Sequence, residues 1–141
     1  MARIPRDTAF AIFEVGMNDY LQKPTRAPQL LEKVSFWTGE LASARVLIVD
    51  DDASIRMVTK AILEKAGHKA SEAVNGAEAM VAMKANNYDI IFMDVSMPVM
   101  DGLDAAKAAR QLAGRKRSTP IIALSAHADP EESVTYEGIC W

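Results

Sequence analysis

Val46-Leu47-Ile48-Val49 is an unbroken aliphatic run, three of its four residues β-branched, that ends on three consecutive aspartates. A strand that is apolar on both faces needs cover on both faces, which a parallel sheet between two helical layers provides. The same kind of run recurs at Asp89-Ile90-Ile91-Phe92-Met93, which ends on Asp94, and at Pro120-Ile121-Ile122-Ala123-Leu124, which ends on Ser125. Helical spacings separate them. Ile55, Val58, Ile62 and Leu63 form one apolar stripe, with Asp52 or Ser54 as cap and Gly67 as stop. Lys69–Val74 reads as a short strand, and Asn75-Gly76 turns into a helix with Met80 and Met83 facing inward. A loop holding Pro98 and Gly102 leads to a helix over about Leu103–Leu112. This alternation predicts βαβ units and a three-layer α/β/α domain.

A further strand and helix precede all of this. Asp19-Tyr20-Leu21-Gln22-Lys23 is strand-like and stops at Pro24. Thr25 can cap a helix that places Leu30, Leu31, Val34 and Trp37 on one face, with Gly39 past its end. Thr38–Ala44 reads as a linker, and the chain is expected to close on a partial helix over about 130–137.

In an open parallel sheet, ligands bind outside the carboxyl ends of the strands. Asp50-Asp51-Asp52, Asp94, Ser125 and Lys23 all fall at such ends. Carboxylates gathered there repel one another unless a cation joins them, and an incomplete cage of hard oxygens suits Mg²⁺. A carboxylate bridged to that metal is a plausible nucleophile toward a phosphoryl group, whose oxygens Lys23 and Ser125 could hold.

These residues resemble a known family. Val46–Asp52, Asp94-Val95-Ser96-Met97-Pro98-Val99-Met100-Asp101-Gly102 and Pro120–Ala128 are similar to the receiver domains of response regulators and hybrid histidine kinases. Asp19-Tyr20-Leu21-Gln22-Lys23-Pro24 resembles the lysine strand of that family. The resemblance implies a five-stranded parallel sheet of flavodoxin-like order 2-1-3-4-5. It makes Asp94 the phosphoacceptor, Asp51 a direct ligand of Mg²⁺, Asp50 a ligand through water and Ser96 a ligand through its backbone carbonyl. Ser125 becomes the hydroxyl switch residue, Lys23 the phosphoryl-binding lysine and Tyr20 the aromatic that turns inward on activation. The Lys23–Pro24 bond matches the family's cis peptide. The implied partner is a histidine kinase or a histidine phosphotransfer protein.

The order of the parts departs from the family, in which the lysine strand and last helix follow the switch residue. Here they come first, and none of the 16 residues after Ser125 is a lysine. The seven linker residues 38–44 can stretch to about 23 Å, enough to join the end of that helix to the start of the first strand. Residues 1–37 could thus complete 45–141, giving one receiver-like domain over 1–141 as in a circular permutant. A second reading is a fragment across two tandem receivers, because Asp7–Met17 and Asp129–Ile139 both look like the family's fourth helix. Either origin allows the site to form within one chain or in a homodimer by swapping.

Composition limits the remaining possibilities. A net charge of −3 creates no field for nucleic acid, and Arg115-Lys116-Arg117 reads as a solvated loop. No stretch has the apolar length of a membrane span, so no membrane role and a cytoplasmic location are expected. The only cysteine is Cys140, which excludes an internal disulfide. His68 and His127 read as surface or loop residues, the eight methionines as core filler, Asp52 as a helix cap and Asp101-Gly102 as a turn. Two other functions stay open: a receiver-like interaction module that is not phosphorylated, and a haloacid-dehalogenase-type phosphatase built on Asp50-Asp51-Asp52 and Ser125. A phosphoacceptor would catalyse only its own phosphorylation and dephosphorylation, and would be no enzyme on an outside substrate.

Overall fold

The computed structural model describes residues 3–5, 12–23, 25–95, 102–112, 114, 118–125 and 133–135. In chain order the elements are β1 (Arg3–Pro5), β2 (Asp19–Gln22), α1 (Ala27–Thr38), β3 (Arg45–Val49), α2 (Ala53–Lys65), β4 (Lys69–Ala73), α3 (Gly76–Ala85), β5 (Ile90–Asp94), α4 (Gly102–Ala109), β6 (Ile121–Ser125) and β7 (Ser133–Thr135). Five of the strands form one parallel sheet of order β2-β6-β5-β3-β4. Read from the β4 edge, this is the flavodoxin-like order 2-1-3-4-5, with the first long strand of the chain at the far edge.

The two faces of the sheet are covered separately, as doubly apolar strands require. On one face Val46, Ile48, Ile90, Phe92, Ile122 and Leu124 pack with Leu30 and Val34 of α1 and Leu63 of α2. On the other, Leu47, Val49, Ile91, Met93, Ile121 and Ala123 pack with Met83 of α3, Ala105, Ala106 and Ala109 of α4, and Ile12 and Met17. Tyr20 belongs to this second cluster and is 1% exposed.

β2 is held at its edge by more than the ladder. Its register pairs Asp19 with Ile122 and Gln22 with Ser125. Asp19, 2% exposed, accepts from Lys33 Nζ at 2.7 Å and Trp37 Nε1 at 2.9 Å, which fastens α1 to the strand that feeds it. α1 ends on Gly39 in the left-handed conformation at φ +70°, which closes the helix onto the Ser35 carbonyl. At the far end of the linker, the Ala44 N–H donates to His68 Nδ1 at 2.9 Å, so His68 secures a loop rather than a ligand.

Several details differ from the expectations. Arg26, not Thr25, is the N-cap of α1; it offers no side-chain bond, and Pro28 in the first turn removes one orphan donor instead. Asp52 caps α2 through the N–H groups of Ser54 and Ile55, at 2.8 and 3.3 Å. Val58 is 57% exposed, because the buried stripe of α2 runs through Thr59 and Leu63. The chain does not begin with the strand–helix pair, since β1 and a helical turn at residues 12–14 precede it. The partial helix expected over 130–137 is contradicted at Ser133-Val134-Thr135. Two of these three residues are β-branched, and they pair as β7 antiparallel to β1. Pro24, Ser96, the Pro98 loop, His127, Cys140 and the basic run 115–117 lie outside the described residues. Among the described residues no helix is long and apolar enough to cross a membrane.

Candidate functional site

The sheet register brings the expected residues to one end. Val49 pairs with Met93 across β3 and β5, so the next residues, Asp50 and Asp94, lie side by side on adjacent strands. Asp94 pairs with Leu124, which puts Ser125 one step further along β6, and Gln22 pairs with Ser125, which puts Lys23 one step beyond that. The stagger carries Lys23 over the strand ends, and its own N–H donates to the Ser125 carbonyl at 2.8 Å.

There the Lys23 ammonium meets two carboxylates. It donates to Asp94 Oδ2 at 2.7 Å and lies 2.8 Å from Asp50 Oδ2. Asp50 is fully buried, Asp94 is 5% exposed and Ser125 is 3% exposed. Burial alone would lower the pKa of Lys23, but the close contacts and charges of Asp50 and Asp94 outweigh it and hold the ammonium above the ordinary lysine value.

Asp50, Asp51 and Asp94 each bring a carboxylate oxygen to within 4.8 Å of the others. Three carboxylates beside one ammonium leave an excess of two negative charges, so a cation is favoured there. Asp50 Oδ1 is occupied by the Asp52 N–H at 2.9 Å. Asp50 Oδ2 is buried and takes no directed hydrogen bond, its contact with Lys23 being an ion pair only. An all-oxygen set with an under-used buried oxygen fits a hard divalent cation such as Mg²⁺. A cleft of about 670 Å³ opens beside the cluster, lined by Lys23, Asp50, Asp51 and Ser54 and walled by Ile55 and Val58.

Gly102 packs against the strand end that carries Asp94. A Cβ there would run into the Asp94 carbonyl oxygen and come within 2.8 Å of Val95 Cα. The first residue of α4 therefore rests directly on the backbone that carries Asp94, a constraint beyond the turn expected of Asp101-Gly102.

Three residues of consequence were not legible as site residues. Asp19 falls within the strand expected over 19–23, Asn18 just before it, and Arg110 within the helix expected over about 103–112. Arg110 instead donates to the Gly16 carbonyl from Nε at 2.9 Å and Nη2 at 2.6 Å, to Asn18 Oδ1 at 2.8 Å and to the Thr119 carbonyl at 2.9 Å. Its burial lowers its pKa. The one available signal was a long cation placed where a helix hands over to a buried strand.

Fold and strand-end acids together define a receiver-type signalling module. The chain belongs to the response regulator receiver domain family, whose model matches residues 46–138. Over 95 residues it is 46% identical to the sensory/regulatory protein RpfC of Xanthomonas campestris, covering 66% of this chain and 13% of that protein. Its structure resembles Vibrio cholerae CheY4 (39% identity, TM-score 0.58, 63% of this chain and 73% of that one). It also resembles Thermotoga maritima TrrA in complex with Mg²⁺-BeF (36% identity, TM-score 0.54, 59% and 70%). The chain thus spans about one-eighth of the RpfC length. The family match contains Asp50, Asp51, Asp94 and Ser125 and stops short of Lys23 and Tyr20. Membership in this family leaves the phosphatase reading without support.

Proposed function

We propose that this chain is the phosphoacceptor of a two-component phosphorelay and that residues 1–37 complete its site within the same chain. The observation that carries the reading is the contact of the Lys23 ammonium with both Asp50, at 2.8 Å, and Asp94, at 2.7 Å and 71 residues away in sequence. In this reading an Asp94 carboxylate oxygen attacks the phosphorus of a phosphohistidine on the donor protein. The new O–P bond forms as the P–N bond breaks, and the imidazole leaves with the electron pair and takes a proton from solvent.

Lys23 then turns from holding carboxylates to holding a phosphoryl oxygen, and the Ser125 hydroxyl donates to another. Asp50, Asp51 and Asp94, with the Ser96 carbonyl, would hold Mg²⁺, which offsets the charge that accumulates on the phosphoryl oxygens. Tyr20 and Ser125 are the switch pair, and the phosphoryl contacts shift their populations to alter a binding face. The donor is a histidine kinase or a histidine phosphotransfer protein. Val58 on α2, which lines the cleft and is 57% exposed, and its neighbour Met57, 66% exposed, offer it an apolar contact. The domain acts on no outside substrate; the chemistry is its own phosphorylation and dephosphorylation.

The test is incubation with Mg²⁺ and a small acyl-phosphate donor, followed by detection of acid-labile phosphate. Wild type should carry it and Asp94→Asn should not. An unlabelled wild type would leave the interaction-module reading in its place, and a labelled Asp94→Asn would move the acceptor elsewhere.

A further inference from the structure

We propose that Arg110 and Asn18 form a clamp that sets the register of β2, making Arg110 a positioning residue for Lys23. The inference rests on the phosphoacceptor reading only for its consequence in phosphorylation; its structural content stands apart from it.

Lys23 reaches the site only if β2 lies in one register against β6. A slip by one residue would turn its side chain to the opposite face and out of reach of Asp94. β2 is a four-residue edge strand paired on one side only, so the ladder alone specifies its register weakly. The missing specification is supplied just before the strand. The Asn18 N–H donates to the Ile121 carbonyl at 2.8 Å while Asn18 Oδ1 accepts the Ile121 N–H at 2.9 Å. One residue thereby satisfies both backbone groups of Ile121 at the first step of the ladder.

Arg110 locks that residue in place. Its Nη2 donates to the same Asn18 Oδ1, and its Nε and Nη2 both hold the Gly16 carbonyl. Nη1 holds the Thr119 carbonyl, so a single guanidinium ties the chain before β2 to the chain before β6. The planar fork is what allows three acceptors from two segments to be met at once, and a lysine could not reproduce it. Gly16 sits at φ +92° with Arg110 Cγ and Nε 3.1 Å from where a Cβ would lie, so the turn is shaped to admit the guanidinium. The clamp lies five residues before Lys23, about 16 Å along an extended chain, and must act through strand register rather than by contact.

Amide hydrogen exchange on the intact chain, with and without Arg110→Met, is the first measurement. The Lys23 N–H bonded to Ser125 should exchange roughly tenfold faster or more in the variant, while amides of β3 and β5 keep their wild-type rates. Uniform acceleration across the sheet, or an unchanged Lys23 amide, would overturn the proposal. Asn18→Asp, which keeps the accepting oxygen, should leave the Lys23 amide protected, and Asn18→Leu should not. This pair decides between clamp and no clamp if Arg110→Met fails to fold, and equal behaviour of the two would count against the clamp. Phosphorylation by an acyl phosphate then separates the two readings. The Arg110→Met loss should disappear when Lys23→Met is already present, and additive losses would contradict action through Lys23. An unphosphorylated wild type whose Lys23 amide still responds to Arg110 would reject the phosphoacceptor reading and keep the clamp.

Discussion

Lys23 and Asp94 stand 71 residues apart in the chain and 2.7 Å apart in space. The ammonium that joins them also neutralises part of the charge on the fully buried Asp50, so it is both a prospective phosphoryl ligand and the present counter-charge of the acidic site. The second duty sets it in competition with a divalent cation for the same carboxylates.

Replacing Lys23 by Met should therefore have two opposite effects. Without its partner, the buried Asp50–Asp94 pair is uncompensated, and stability measured by urea unfolding should fall by about 3 kcal/mol. Added Mg²⁺ should restore more stability in the variant than it adds to wild type, because the metal no longer displaces an ammonium. Phosphorylation by a small donor should drop about a hundredfold even at saturating Mg²⁺. Equal Mg²⁺ stabilisation of the two proteins would show that lysine and metal do not share the carboxylates.

The raised pKa of Lys23 fixes the sign of a pH effect. A cation whose folded pKa exceeds its unfolded value contributes stability that is complete below the unfolded value, about 10.4, and is lost as pH rises through the folded one. The difference in urea midpoint between wild type and Lys23→Met should hold constant through neutral pH and shrink only above about pH 10.4. A difference that shrinks between neutral pH and that value would assign the stabilisation to another group.

The sheet and its acidic end were legible because both rest on local patterns. Unbroken aliphatic runs require cover on two faces, and parallel strands that end on Asp50 and Asp94 have one place to put those side chains. Capping was legible at Asp52, where one side chain meets the two amides it faces. What escaped is non-local. Nothing near Arg110 in the sequence names Gly16 or Asn18, and nothing near Asp19 announces that Trp37 will return to it one helix later. The exposure of Val58 escaped for a related reason, since a helical stripe gives spacing but not which of two adjacent stripes meets the sheet. At residues 133–135, pairing with the opposite end of the chain overrode the helix that the local resemblance suggested.

Gly102→Ala sets a local preference against a tertiary contact. Alanine is favoured over glycine inside a helix by about 1 kcal/mol, and less in its first turn. Against that, the new methyl would collide with the Asp94 carbonyl and crowd Val95 Cα, an overpacking that costs about 1–3 kcal/mol. The net effect should be destabilising, seen as a lowered urea midpoint. Phosphorylation of Asp94 should also slow, because the backbone that carries the acceptor is the atom group displaced. A stabilised variant would mean that α4 can withdraw from Asp94 without strain.

Removal of residues 1–37 should expose whether the N-terminal unit belongs to the same cooperative fold. It strips Leu21, Leu30 and Val34 from one face of the sheet and Ile12, Met17 and Tyr20 from the other, and leaves the β6 ladder with an open edge. At about 1.5–3 kcal/mol for each of these six buried side chains, the loss is roughly 9–18 kcal/mol. A domain of this size is stable by about 5–15 kcal/mol in all, so the truncated chain should lose its cooperative transition or fold only marginally. Adding a peptide of residues 12–38 in trans should restore the transition, with a midpoint that rises with peptide concentration. The intact chain should run as a monomer on a sizing column, since its own β2 occupies the edge of β6. A truncated chain that unfolds at the wild-type midpoint would mean that β2 and α1 add nothing to the sheet they border, and would leave Lys23 without a fixed place beside Asp94.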